Sequence, residues 1–254
     1  MDISFRDSFL ARWEKYFPGA EPPVAFFYAE SPGDAEVRKP QTQHACIIGD
    51  LARVRAGRAM AFDECGAICG GAKRYLGFAP GLREGFEYFL SYGIPGKMDG
   101  ERYKKTPEIV KELLAKMPKF DAPKPYIVFK RFDMLDAADS PDVVIFFATP
   151  DVMSGLFTLS GFDEAEAEAV IAPFAAGCGS IVQYPYRELA NGTMRGVIGM
   201  FDVSARPCVP ADRLTFAVPW PKFVRMAENM DESFLITNSW KLVRNRMENA
   251  ARRA

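Results

Sequence analysis

A single histidine, His44, stands in 254 residues, and that scarcity removes whole classes of chemistry. A histidine-rich metal hydrolase is excluded. A Ser-His-Asp or Cys-His pair would have to be built on this one ring, and Cys46, two residues away, would diverge from it on a helix rather than form a dyad. No H-E-x-x-H, nucleophile elbow, kinase motif set, P-loop or G-x-G-x-x-G is present. Neither sign of charge is in excess: 32 Lys and Arg face 33 Asp and Glu, a net charge of −1. Nucleic-acid binders ordinarily carry a basic surplus, so no nucleic-acid partner is expected. The basic end RNRMENAARRA reads as a solvated helix face. No apolar run approaches the ~20 residues of a membrane span, and the start MDISFRDSFLARW lacks the basic and apolar segments of a signal peptide. The expectation is a cytoplasmic protein with no membrane partner.

What the chain does have is concentrated between His44 and Phe78, which holds three of the five cysteines and the one Gly-Gly pair. In a reducing cytosol an odd set of cysteines reads as free thiols or metal ligands rather than disulfides. Cys65 and Cys69 are four residues apart, and a helix from Asp63 to Leu76 would place both thiols on one face, with Asp63 as its cap. Cys46 falls on the preceding helix, and Cys178 lies between two glycines ahead of an expected strand. These four, Cys46, Cys65, Cys69 and Cys178, form the expected ligand set for an iron–sulfur cluster or metal, since thiolates are the ligands such centres take. Cys208, between two prolines, ranks below Cys178. The spacing C-x18-C-x3-C matches neither a zinc ribbon nor a bacterial ferredoxin. Buried structural thiols therefore stand as the alternative, and a reactive Cys178 as a third reading.

Gly70 and Gly71 suit a close approach by a neighbouring helix, a cluster or a ligand, the packed helix being the simplest account. Lys73, Arg74 and Arg206 are candidates to hold an anionic group. Lys97, Arg102, Tyr103 and Lys104 lie in a glycine-rich charged loop of a length that is often functional.

The periodicity predicts helices at 3–17, 42–55, 63–76, 81–93, 106–117, 150–159, 162–175, 220–229 and from 239 onward, and strands at 22–29, 59–62, 126–132, 142–148, 180–185, 194–202 and 213–219. The fold class is α+β, a mixed and largely antiparallel sheet flanked by helices, with a helical N-terminal half. One domain spans 1–254, with a soft lobe boundary at KFDAPKP, 119–125. No internal repeat is visible.

The runs CGAICGGAKRYLGF (65–78), GCGSIVQYPY (177–186), RGVIGMFDVSARPCVPADRLTFAVPWPKF (195–223) and LITNSWK (235–241) together resemble the prokaryotic family catalogued as domain of unknown function 169. The resemblance covers nearly the whole chain. It implies archaeal and bacterial hosts, many of them anaerobic, in which an iron–sulfur cluster would be at home, and it carries over no catalytic residues. The leading expectation is a cluster or metal held by cysteine thiolates for redox or small-ligand chemistry, with a small molecule or redox protein as partner and a homo-oligomer allowed. The alternative is a cofactor-free small-molecule binding or sensing module.

Overall fold

The strand hexapeptides VAFFYA and VVIFFA are apolar at almost every position, which is the pattern of strands covered on both faces. The computed structural model, which describes residues 1–40, 46–67 and 69–252, places them side by side at the centre of one sheet. In chain order the elements are α1 (Ile3–Tyr16), β1 (Val24–Ala29), β2 (Glu36–Val37), α2 (Ile47–Arg55), β3 (Met60–Phe62), α3 (Gly70–Tyr75), α4 (Phe86–Phe89), α5 (Pro107–Lys116) and β4 (Tyr126–Arg131). There follow β5 (Val143–Ala148), α6 (Pro150–Ser160), β6 (Val170–Ile171), a π-helical turn (Gly179–Gln183) running into α7 (Tyr184–Asn191), β7 (Gly196–Gly199), β8 (Leu214–Pro219), α8 (Trp220–Glu228) and α9 (Asn238–Ala251). The fold is α+β, with a mixed eight-stranded sheet in the order β2-β3-β4-β1-β5-β8-β7-β6.

Alternate residues of each strand feed two cores. Ala25, Phe27, Val144, Phe146 and Phe216 pack with Phe9 and Trp13 of α1, with Phe17 at its C-terminal cap and with α6, α8 and α9. Val24, Phe26, Tyr28, Phe129, Val143 and Ile145 face α2, α3 and the π-helical turn. Gly155 of α6 sits where a Cβ would lie 2.5 Å from Trp240 Cη2 and 2.6 Å from Phe17 Cε1, both buried rings. Gly155→Ala would gain about 1 kcal/mol of helix propensity but overpack a closed contact, at about 1–3 kcal/mol. A net loss is expected, read as a lower urea midpoint at unchanged slope; a raised midpoint would show that the two rings give way freely.

The two halves of the sheet repeat one another. Strands β1 to β4 lie in the order 1-4-3-2, and β5 to β8 in the order 5-8-7-6. In each half the outermost pair is parallel, β2 with β3 and β6 with β7, and the rest are antiparallel. A helix crosses over within each parallel pair: α2 in the first half, the π-helical turn with α7 in the second. At the seam Val24 pairs with Ile145 and Phe26 with Val143. Exchanging Val24, Ala25 and Phe26 with Val143, Val144 and Ile145 returns the same pairing, which is the mark of a local two-fold axis normal to the sheet. No repeat was visible in the sequence because the inserts differ. Residues 63–125 separate β3 from β4, whereas only 200–213 separate β7 from β8.

Several expected elements take other forms. The helix expected from Asp63 starts only at Gly70: Asp63 Oδ1 accepts from the Gly66 N–H at 2.6 Å and closes a turn instead. Of 81–93 only Phe86–Phe89 is helical, since Gly85 and Gly93 adopt left-handed φ of 77° and 79°. The acidic stretch 162–175 forms no helix and supplies the edge strand β6. SIVQYP, with β-branched residues that favour a strand, is wound as the π-helical turn and the start of α7, where Pro185 fits the first turn. The polar loop after β1 contributes the short β2. The helix expected at 42–55 is described from Ile47 on, and His44 lies outside the described residues.

Candidate functional site

The local two-fold axis places cysteines at equivalent points of the two halves. Cys46 is the N-cap of the first crossover helix, α2, and Cys178 occupies the equivalent place before the π-helical turn of the second. Cys69, the N-cap of α3, follows β3; Cys208 follows β7. Each half thus contributes one thiol ahead of its crossover helix and one beyond its third strand. Helix α2 packs on the segment holding Cys208, and the π-helical turn packs on α3, so the contacts cross between halves.

Cys208 Sγ lies 3.9 Å from the Cβ position of Gly49, in the first turn of α2. Gly177, beside Cys178, is enclosed by Ala205, Met200 and Ile48, with a Cβ position only 2.9 Å from Ala205 Cβ. Burial pushes the Cys46 thiol up to about 11, and the charges of Cys208, Cys69 and Asp202 add to the rise. Burial likewise holds the Cys178 thiol well above its usual range, with Cys46, Cys69 and Asp202 contributing. Both are neutral thiols at pH 7. Tyr75, on α3, is raised by the same burial, with Cys178 adding to it.

Asp202 stands near the Cys46 and Cys178 thiols, both of which its charge raises. Its carboxylate accepts from the Gly177 N–H at 3.0 Å, from the Ser204 N–H at 3.0 Å and Oγ at 2.8 Å, and from the Tyr103 hydroxyl at 3.5 Å. Tyr103, in the charged loop singled out above, therefore reaches the site. Its neighbour Lys104 lies over the Phe174 ring at 3.9 Å.

Of the expected ligands, Cys46, Cys69 and Cys178 border the same core, as does Cys208. Cys65 is exposed, in the turn that Asp63 closes. Among the described residues, no three His, Cys, Asp or Glu side chains are spaced as they would be around a bound metal. Gly70 meets nothing within 4 Å and Gly71 makes only ordinary contacts, so neither marks a close approach; both open α3. Lys73 is half-buried on α3 and Arg74 is buried beside it. Arg206 is committed to its own loop, donating to the carbonyls of Arg213, Pro210 and Ala211.

The segment 200–213 serves two sites. On one side it carries Asp202 and Cys208 to the thiols. On the other, Met200, Phe201 and Arg213 line a cavity of about 700 Å³ shared with Met153 and Phe157 of α6. Met200, between the two, adopts φ 69°, a left-handed conformation that a non-glycine side chain rarely takes and that clusters at functional sites. The signals that sequence reading missed here were Asp202 and the cavity, because both depend on how β7 and β8 are joined.

No helix among the described residues is long and apolar enough to cross a membrane. Neither the curated proteins nor the solved structures yield a match to the chain. The model of the family DUF169, described as an uncharacterised ArCR, matches residues 17–229, which include both crossover helices and Cys46, Cys69, Cys178 and Cys208. The chain belongs to that family.

Proposed function

We propose that this protein holds an iron–sulfur cluster, or a single thiophilic metal, on Cys46, Cys69, Cys178 and Cys208, in the cytoplasm, and uses it for redox or small-ligand chemistry. The observation that carries the reading is that four of the five cysteines, from four distant segments, border one core, with Cys208 and Cys69 acting on the Cys46 thiol and Cys46 and Cys69 on that of Cys178. Four thiolates are what cubane and binuclear clusters and structural zinc take. No side chain caps the starts of α2 or α3; in α2 the Gly49 N–H already donates to the Cys46 carbonyl at 3.0 Å, which leaves the N–H groups ahead of it to face sulfur. The cavity beyond Met200 supplies room for a small reactant beside the centre.

A second reading has its own support. Cys178 is only 7% exposed and packs with Ile181 and Val182 in the core, as a structural thiol does. In that case the chain is a cofactor-free binding module built around the same cavity. Purification without oxygen, followed by iron, zinc and sulfide assays and a visible spectrum, separates the two. The cluster reading expects iron and acid-labile sulfide with a brown colour. Colourless, metal-free protein after anaerobic reconstitution would overturn it.

A further inference from the structure

Four cationic side chains are buried among the described residues: Arg38, Arg74, Lys130 and Lys222. Three have carboxylates against them. Arg38 pairs with Asp50, Lys130 with Asp34, Asp136 and Asp139, and Lys222 with Glu164. Arg74 has none. It is 4% exposed, forms no ion pair with any described residue, and makes one long hydrogen bond, 3.4 Å to the Pro80 carbonyl. An ionised group taken out of water without a counter-charge is costly, and guanidinium keeps its proton under all ordinary conditions.

Arg74 lines a cavity of about 370 Å³ between α3, α5 and the loop Gly81–Gly85, which Lys119 and Arg83, its guanidinium over the Phe89 ring at 5.4 Å, also line. None of the five amides from Gly81 to Gly85 donates to an acceptor among the described residues. Two carboxylates share the lining: Glu84 is exposed, and Glu87 is engaged by Lys111 at 3.4 Å. Phe86, Leu114 and Ala115 supply an apolar wall. A buried fork of donors, two further cations and a run of open amides together form a receptor for a compact oxyanion.

We infer that this pocket binds a phosphate group, with Arg74 as its buried counter-charge and Arg83, Lys119 and the 81–85 amides closing around it. The site is separate from the cysteines and does not rest on the cluster reading.

The test is calorimetric titration of the full chain with inorganic phosphate and with phenyl phosphate, against chloride at matched ionic strength. Saturable binding of phosphate is expected. Tighter binding of phenyl phosphate would identify the anion as the head group of a small organic molecule seated on Phe86; equal binding would identify free phosphate. Arg74→Gln is expected to abolish binding. Because that variant alters a buried position, the exposed Arg83→Gln, on the rim, serves as the second probe and should weaken binding about tenfold, about 1.4 kcal/mol. Cys208→Ser should bind phosphate as the parent does, whatever its metal content. No binding of either anion beyond chloride, or undiminished binding by folded Arg74→Gln, overturns the assignment.

Discussion

Replacing Lys130 by alanine is expected to destabilise the protein by about 3–5 kcal/mol, the range seen when one partner of a buried ion pair is removed. Lys130 is 3% exposed on β4. Its ammonium lies 2.8 Å from Asp34, 3.1 Å from Asp139 and 3.5 Å from Asp136. Asp34 and Asp136 are largely in water and would survive the loss. Asp139 is buried, so it would be left as an uncompensated charge whose remaining help is the Asp136 N–H at 2.9 Å. Lost packing of the lysine stem along the sheet adds to the deficit. A domain has roughly 5–15 kcal/mol of stability in all, so this single change should move the urea midpoint severely. The double variant Lys130→Met with Asp139→Asn is expected to recover most of it, because it removes the stranded charge along with its partner. Equal destabilisation in the single and double variants would mean that the stem, and not the ion pair, carries the effect. The cluster also sets an acid limit. Asp136 is held below its usual range, first by the Ala138 N–H and also by Lys130. A depressed carboxylate stabilises the fold above its unfolded value, near 3.8, and loses that contribution as pH falls through the folded one.

Cys208→Ser is expected to lower metal affinity by more than a hundredfold, whereas Cys65→Ser is expected to leave it unchanged. Loss of a group that merely orients a ligand typically costs ten- to a hundredfold, and loss of a thiolate itself should exceed that. Cys208 is the better probe of the quartet. It lies half-buried in a short turn, where serine is easily hydrated, while Cys178 is enclosed by apolar side chains and would bury a hydroxyl. The contrast with Cys65 makes the experiment decisive, since both residues are cysteines in turns and differ in that Cys208 packs against the core shared with Cys46, Cys69 and Cys178 while Cys65 is exposed. Iron or zinc content measured after anaerobic reconstitution reads both variants. Equal metal content in the parent and Cys208→Ser would refute the quartet. Loss of metal in Cys65→Ser alone would restore the spacing C-x3-C as the binding unit.

The central strands were legible because VAFFYA, YIVFKR, VVIFFA and LTFAVP are short apolar runs that admit few other readings, and each forms a sheet strand. The Thr106-Pro107-Glu108 start was legible for a local reason: the Thr106 hydroxyl accepts the Ile109 N–H, and proline needs no partner at the first helical position. The failures share a cause of the opposite kind. Asp63 was expected to cap a helix, and its carboxylate does accept a backbone N–H, but Gly66 is pressed against the Arg38 carbonyl and the chain turns away. SIVQYP carries strand-forming residues, yet it crosses over a parallel pair and must wind to do so. Cys65 enters the expected ligand set ahead of Cys208 because spacing along one helix is visible in a sequence, whereas the core that Cys208 shares with Cys46 is not. The path that returns Cys208 to Cys46 runs through β7, and only the sheet order reveals it. Arg74 reads as an anion holder from its place after the glycines; that it has no carboxylate partner among the described residues depends on the loop 80–85 and lies beyond any local pattern.

The symmetry of the β1–β5 seam bears on what would happen if the chain were cut in the connection 132–142 between β4 and β5. Each fragment would carry one sheet half with its innermost strand stripped of a neighbour. The register that joins the strands is self-matching: Val24 and Phe26 meet Ile145 and Val143 in the order that their own counterparts would present. Each fragment therefore exposes an edge complementary to a second copy of itself as well as to the other fragment. Covalent linkage keeps the correct partner at high effective concentration, and with it the pairing of two unlike halves that sets Cys46 beside Cys208.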